Sequence, residues 1–424
     1  MEKELLEILK SECVVATGCT EPIAVAYATA IAKEQIEGEK LLRLHVVIDS
    51  ALYKNASFVG IPGIKDRGLP IAAALGVVIG SSKKGLRLLE HIDDEQLVNA
   101  KQLVKDGIVE ISVVKECARL YIEVNLFTEQ NHIRVLVKDR HQNVVSIEKG
   151  KSLPPIQLVY ESHNTKESLI QKYNLADLLE FARNVDVANL EFLNAGIRMG
   201  IEMADIGLTM QKGLGKAIEE MIYEGTERNN MVTTAQILCG AAAEARMAGV
   251  PNPVMTTAGS GNHGLTVFMT NVGVAKKLNC SEDTLLRAIA LSNLVTVYVK
   301  SYTGTLSAMC GCGVAAGVGA GAGVSYMLGG NETEIYHTIV NMVGSIAGLL
   351  CDGGKEGCAY KVALSSGWAV QSALLAQKGC HINTKDGILS GDLRGLFENL
   401  GSCSDSMFLT NQSIVEIIRK NSMC

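Results

Sequence analysis

The chain has 424 residues, enough for two or three domains and a sizeable core, with 47% hydrophobic residues but only 4% aromatic ones. Its formal net charge is −6 and it has no basic block, which argues against nucleic acid as a partner. Twelve cysteines without a secretory leader point to a reducing cytoplasm, where thiols serve metals or catalysis rather than disulfides.

The first ten residues are charged and amphipathic, so they read as a helix and not as a signal peptide. Residues 1–35 are expected to form two helices, broken near Thr17-Gly18-Cys19-Thr20, within an N-terminal segment spanning 1–38 that carries Cys19 and packs on the catalytic domain. Residues 39–160 change character. Stretches 42–49, 108–114, 120–127 and 133–137 are rich in Val, Ile and Leu and read as strands, with helices over 69–80 and 95–105 between them, so this is a small α+β domain. The Pro-containing run from Lys151 to Ile156 reads as a linker.

From residue 161 to 424 an all-α catalytic domain is expected. Its clearest helices cover 175–184, 190–205, 214–225, 232–247, 284–299, 335–350 and 367–378. The Gly-rich parts have poor helix propensity, so close packing around something central must hold them. Residues 301–331 carry no formal charge and could span a bilayer by length. Their Cys, Ser, Thr, Tyr and Gly content, and the lack of a second span, favour a buried helix instead. The fold expected is therefore α+β: a mainly α-helical domain with a smaller α+β domain inserted after the N-terminal helices.

Two stretches carry the most chemistry. Cys310 and Cys312 stand one residue apart, and Cys351 and Cys358 follow, all among glycines that let backbone N–H groups approach without a Cβ in the way. Such thiols suit an iron–sulfur cluster. Zinc competes for the same donors, although the usual Cys-x2-Cys knuckle is absent, and plain packing of small hydrophobic thiols is the third reading. Cys19 is placed at a helix start, where a thiol pKa is lowered and a thiolate could act as base, nucleophile or ligand. An ordinary turn reads equally well there. Gly259, Ser260, Gly261, Asn262, His263 and Gly264 form a literal G-x-G-x-x-G, but without the strand context of a dinucleotide site. A loop exposing N–H groups beside Ser260, Gly261, Asn262 and His263 suits a small carboxylate, and a structural turn is the alternative. Lys54, Asn55 and Ser57 are weaker polar candidates.

Taken together, the motifs around Cys19, Gly259–Gly264, Cys310, Cys312, Cys351 and Cys358 resemble those of the L-cysteine desulfidases, relatives of the iron–sulfur L-serine dehydratases. The similarity extends from Cys19 to at least Lys361. The resemblance implies a 4Fe-4S cluster on three cysteines with one iron open to substrate. Its ligands would be Cys310 (with Cys312 as the alternative), Cys351 and Cys358, and Cys19 would be the proton acceptor. It implies a cytoplasmic lyase that converts L-cysteine to pyruvate, ammonia and sulfide without pyridoxal phosphate. L-serine dehydration and a non-catalytic iron–sulfur redox or sensor role are the alternatives. The expected partners are a small amino-acid substrate and a second copy of the chain as a homodimer, with no nucleic acid and no membrane. Cys424 could reach an open iron from a mobile tail or be a frayed end, and Cys13, Cys117, Cys239, Cys280, Cys380 and Cys403 read as packing residues.

Overall fold

A computed structural model of the protein describes residues 1–36, 38–114, 120–156 and 168–422. Cys117, Cys424 and the boundary expected at 160–161 lie outside the described residues.

Helix α1 (Glu2–Glu12) buries Leu5, Ile8 and Leu9 in a large helical core and leads into a short strand β1 (Val15–Thr17). Helix α2 (Thr20–Glu34) is apolar almost all round, and 12 of its residues are buried. Then come β2 (Arg43–Asp49), α3 (Ser50–Ala56), α4 (Leu69–Ile79), α5 (Asp94–Lys105), β3 (Val109–Val114), β4 (Tyr121–Phe127), β5 (His132–Lys138) and β6 (Val144–Gly150). Residues Lys151 to Ile156 contain neither helix nor strand.

The helical part follows as α6 (Leu175–Asn184), α7 (Leu193–Leu208), α8 (Leu214–Tyr223), α9 (Met231–Met247), strand β7 (Pro253–Met255), α10 (Gly261–Leu278) and α11 (Glu282–Thr303). A π-helical turn over Cys312–Gly317 runs into α12 (Val318–Met327), then α13 (Glu332–Ile346), α14 (Cys358–Ala376), α15 (Leu393–Ser406) and α16 (Phe408–Ser422). The fold is mainly α-helical with a smaller α+β part, as expected.

The sheet has the order β3-β2-β4-β5-β6, parallel between β2 and β3 and antiparallel elsewhere. Alternation sorts its two faces. Leu44, Val46, Ile48, Ile122, Val124, Leu126, Ile133, Val135 and Val137 share one core with Ala24, Val25, Ala28 and Ile31 of α2. Glu123, Asn125 and Arg134 belong to the opposite set, and they bond one another. The opposite flank of α2, through Ile23, Ala26 and Ala30, packs on Ile71, Ala72, Ala74 and Leu75 of α4. Thus α2, expected on the helical part beside α1, lies instead between sheet and α4, because a helix apolar on both sides needs two partners. Strand β1, pairing antiparallel with β7, carries the chain across to the helical part.

The uncharged stretch 301–331 is not one helix. It ends α11, runs irregularly to Gly311, and resumes as the π-helical turn and α12. No helix among the described residues is long and apolar enough to cross a membrane.

The α2–α4 contact depends on Gly76, where a Cβ would lie 2.1 Å from both the Ala26 carbonyl oxygen and Thr29 Oγ1. Gly76→Ala is expected to destabilise the protein by about 1–3 kcal/mol, because backbone on one side cannot yield. Urea unfolding followed by circular dichroism measures it; an unchanged midpoint would contradict this packing.

Candidate active site

Backbone pairing brings the two cysteine segments together. Met309 and Leu350 form an isolated antiparallel bridge, with Cys310 N–H donating to the Leu349 carbonyl and Cys351 N–H to the Ala308 carbonyl, both at 2.7 Å. The Cys310 carbonyl accepts the amides of Gly313 and Val314 at 3.0 Å, which opens the π-helical turn. Cys358 begins α14, and its thiol donates to the Gly353 carbonyl at 3.4 Å. Between them, Asp352 is held by Lys355 and Lys361, and Lys361 Nζ also donates to the Leu350 carbonyl at 2.7 Å. Cys351 Sγ lies 3.6 Å from Asn55 Oδ1.

Lys54 grips this assembly from the sheet side. Its side chain is fully buried, and Nζ donates to the Ser307 carbonyl and to Asn411 Oδ1 of α16, both at 2.9 Å. Ser57 bonds the Tyr53 carbonyl one turn back and stays out of the pocket.

Cys19 is the N-cap residue of α2, aimed by Gly18, whose φ of +73° is left-handed and whose missing Cβ would sit 2.3 Å from Pro62 Cγ. The expectation of a lowered thiol pKa is not met. Burial and the neighbouring Glu21 carboxylate push the Cys19 thiol well up, and its Sγ donates to Glu21 Oε2 at 2.7 Å. Glu21 itself also accepts from Thr20 Oγ1 and Asn55 Nδ2, both at 3.2 Å. Burial works to raise its pKa, but the charges of His141 and Arg246 and the Cys19 hydrogen bond outweigh it and hold the carboxylate below its usual range.

The G-x-G-x-x-G residues are only half a loop. Ser260 is the N-cap of α10, and Gly261, Asn262 and His263 form its first turn, so their free amides are those of a helix start. Gly261 does not line the pocket; its Cα faces Arg246, where a Cβ would come 2.5 Å from Nε. Arg246 is buried, donates from Nη1 to Asn262 Oδ1 at 2.9 Å and from Nη2 to the Gly18 carbonyl at 2.5 Å, and leaves Nε without a hydrogen-bond partner. His263 packs its Nε2 side on the bare Gly311 backbone, and its Nδ1 has no hydrogen-bond partner among the described residues. Burial, helped by the positive charge of Lys300, pushes this imidazole down to about 3, so it is neutral at physiological pH.

These residues line one pocket of about 680 Å³: Cys19, Ser260, Asn262, His263, Cys310, Cys312, Cys351 and Cys358 among the expected ones, with Glu21, Asn55, Arg246, Lys300 and Lys361. Sequence reasoning did not single out Glu21 or Arg246, although a lone arginine in the Ala-rich α9 was a usable signal. Among the thiols, Cys310 is pushed below its usual pKa by a hydrogen bond from Cys312, with the Lys361 charge and the Gly313 and Cys312 amides assisting, while Cys312 is pushed up. Among the described residues no three His, Cys, Asp or Glu side chains converge as a single-ion site requires. Cys13, Cys239, Cys280, Cys380 and Cys403 are free thiols outside this pocket.

The profile of the serine dehydratase alpha chain family matches residues 83–416. The chain belongs to the serine dehydratase alpha chain family. The relationship to the iron–sulfur serine dehydratases expected from the motifs is borne out, and the matched span of this iron–sulfur-dependent family contains Cys310, Cys312, Cys351, Cys358 and the start of α10. A UPF0597 protein of Clostridium tetani is 40% identical over 422 residues, covering 98% of this chain and 97% of its own. A UPF0597 protein of Clostridioides difficile is 38% identical over 421 residues, covering 97% and 98%. One of Alkaliphilus oremlandii is 35% identical over 419 residues, covering 98% and 97%.

Lys54→Ala would leave a cavity, and a buried and a part-buried acceptor without their donor. It is expected to cost about 2–5 kcal/mol of stability by urea unfolding. A loss under about 0.5 kcal/mol would mean that this lysine does not brace the site.

Proposed function

We propose that the protein is a lyase that breaks down L-cysteine to pyruvate, ammonia and sulfide by α,β-elimination, with a 4Fe-4S cluster held by Cys310, Cys351 and Cys358. The observation that carries this reading is the meeting of four thiols with the Cys19–Glu21 pair in one pocket. The donor set fits the group: a cluster takes each thiolate on a different iron, so its ligands need not converge on one point. Cys310 is preferred to Cys312 because a hydrogen bond from Cys312, with the Lys361 charge and the neighbouring amides assisting, holds its thiol below the usual range, while Cys312 is pushed up, and a cluster binds thiolates.

When bound, the cluster supplies a Lewis acid for the substrate carboxylate and the β-leaving group, and a thiolate leaving group is matched to iron. The remaining work belongs to the chain. Arg246, steadied by Asn262, and the neutral His263 border the space beside the cysteines and orient the substrate. The Cys19 sulfur takes the α-proton as its own proton passes to Glu21 across their 2.7 Å hydrogen bond, so no free thiolate forms in a site that favours the neutral thiol. As that C–H bond breaks, the electron pair forms the Cα–Cβ double bond and the C–S bond breaks to release sulfide. The released 2-aminoacrylate tautomerises and hydrolyses to pyruvate and ammonia.

L-serine dehydration on the same residues is the second reading, favoured by the family match. Pyruvate and sulfide release from L-cysteine, measured against pyruvate release from L-serine on anaerobically reconstituted protein, decides between them; turnover of neither overturns the proposal. A cytoplasmic homodimer is part of the same reading, supported by exposed Leu350, Tyr360 and Leu364 beside the cysteine segments.

Cys351→Ala is expected to lose visible absorption and turnover together. Cys19→Ser should keep the absorption while kcat falls at least about 100-fold, and Glu21→Gln should do the same with a smaller effect on KM. Full turnover by the Cys19 variant would remove it as the base.

A further inference from the structure

Behind the wall that carries Ser260 lies a second cleft of about 1170 Å³, which the proposed reaction does not use. Ala258 and Gly259 face this cleft, Ser260 and His263 face the catalytic pocket, and Lys300 and Thr305 line both. The cleft forms where the end of α1, the β5–β6 turn and the end of α11 meet. Thr305 Oγ1 fixes that turn by donating to the Asp139 carbonyl at 3.2 Å.

On the turn, His141 is 6% exposed, lines the cleft, and its Nε2 has no hydrogen-bond partner among the described residues. A buried polar nitrogen left unpaired costs free energy, so its place beside a cavity points to a ligand that completes it. Charges of both signs stand next to it. Arg140 Nη2 and Glu12 Oε1 are 3.4 Å apart, too long for a full hydrogen bond, so each keeps capacity for a third partner. Lys300 adds a positive charge, and Val14 and Val297 offer a small apolar flank. Among the described residues no Phe, Tyr or Trp lines the cleft to stack on a nucleobase.

We infer that this cleft is a second binding site for a zwitterionic α-amino acid, with Arg140 taking the carboxylate, Glu12 the ammonium and His141 Nε2 the third contact. It rests on the proposed function only in that the neighbouring pocket also handles an amino acid. A ligand here presses on the same Lys300, Thr305 and 258–263 wall that bounds the catalytic pocket.

The test is calorimetric titration of the full-length, cluster-loaded protein with L-alanine, which has both charges but no β-leaving group. Two binding events per chain are expected. His141→Phe should abolish one, and Arg140→Glu, at a side chain that is 74% exposed and so safe for folding, should weaken the same event about tenfold or more. Arg246→Leu should instead remove the other event. A single event in the unaltered protein, or two events that neither the His141 nor the Arg140 variant changes, overturns the inference. Failure of L-cysteine and L-serine turnover with the His141-sensitive event still present would sink the proposed reaction and leave this site standing.

Discussion

Two amide hydrogen bonds, Cys310 to Leu349 and Cys351 to Ala308, join segments that are far apart in the chain, and the rest of the site takes its position from them. Each such bond contributes only about 1 kcal/mol net, so neither would persist alone. They persist because their surroundings are buried and braced: Lys54 holds the Ser307 carbonyl from one side, and Lys361 holds Leu350 and Asp352 from the other. With that bridge in place, Cys358 at the start of α14 and the first turn of α10 come to the same pocket as Cys310 and Cys351.

The pocket then sorts chemically identical thiols by their electrostatic surroundings. Cys310 stands among backbone N–H groups and near Lys361, which favours its anion. Cys19 stands against the Glu21 carboxylate in a buried place, which favours its neutral thiol. Two sulfurs of one cavity are thereby held in different protonation states, as the proposed roles of cluster ligand and base require. The buried Arg246 links the two halves, bonding the carbonyl of Gly18 on one side and Asn262 on the other.

Much of this was legible in the residues. The periodic helices at 175–184 and 214–225 and the strand at 42–49 lie close to their observed bounds, since each combines a clear period with capping or turn residues. Strand β6 was missed because every position from Val144 to Gly150 is exposed or half-buried and Ser146, Glu148 and Lys149 interrupt the apolar run. Helix α14 begins nine residues before the expected start at 367, since Gly357 gives no side-chain cap to mark Cys358. The placement of α2 was invisible too, because an all-round apolar helix does not say which two partners cover it.

The residue pattern by itself determined the helical majority, the small sheet, the Gly-embedded thiols and the family to which they belong, because these depend on local periodicity and on residue type. Tertiary structure decided which of those residues share a pocket, that Asn262 and His263 open a helix, and that Arg246 and Glu21 join them. It also reversed the expected state of Cys19. A helix start lowers a thiol pKa in isolation, but burial and a carboxylate 2.7 Å away act more strongly at that distance than the dipole of one turn.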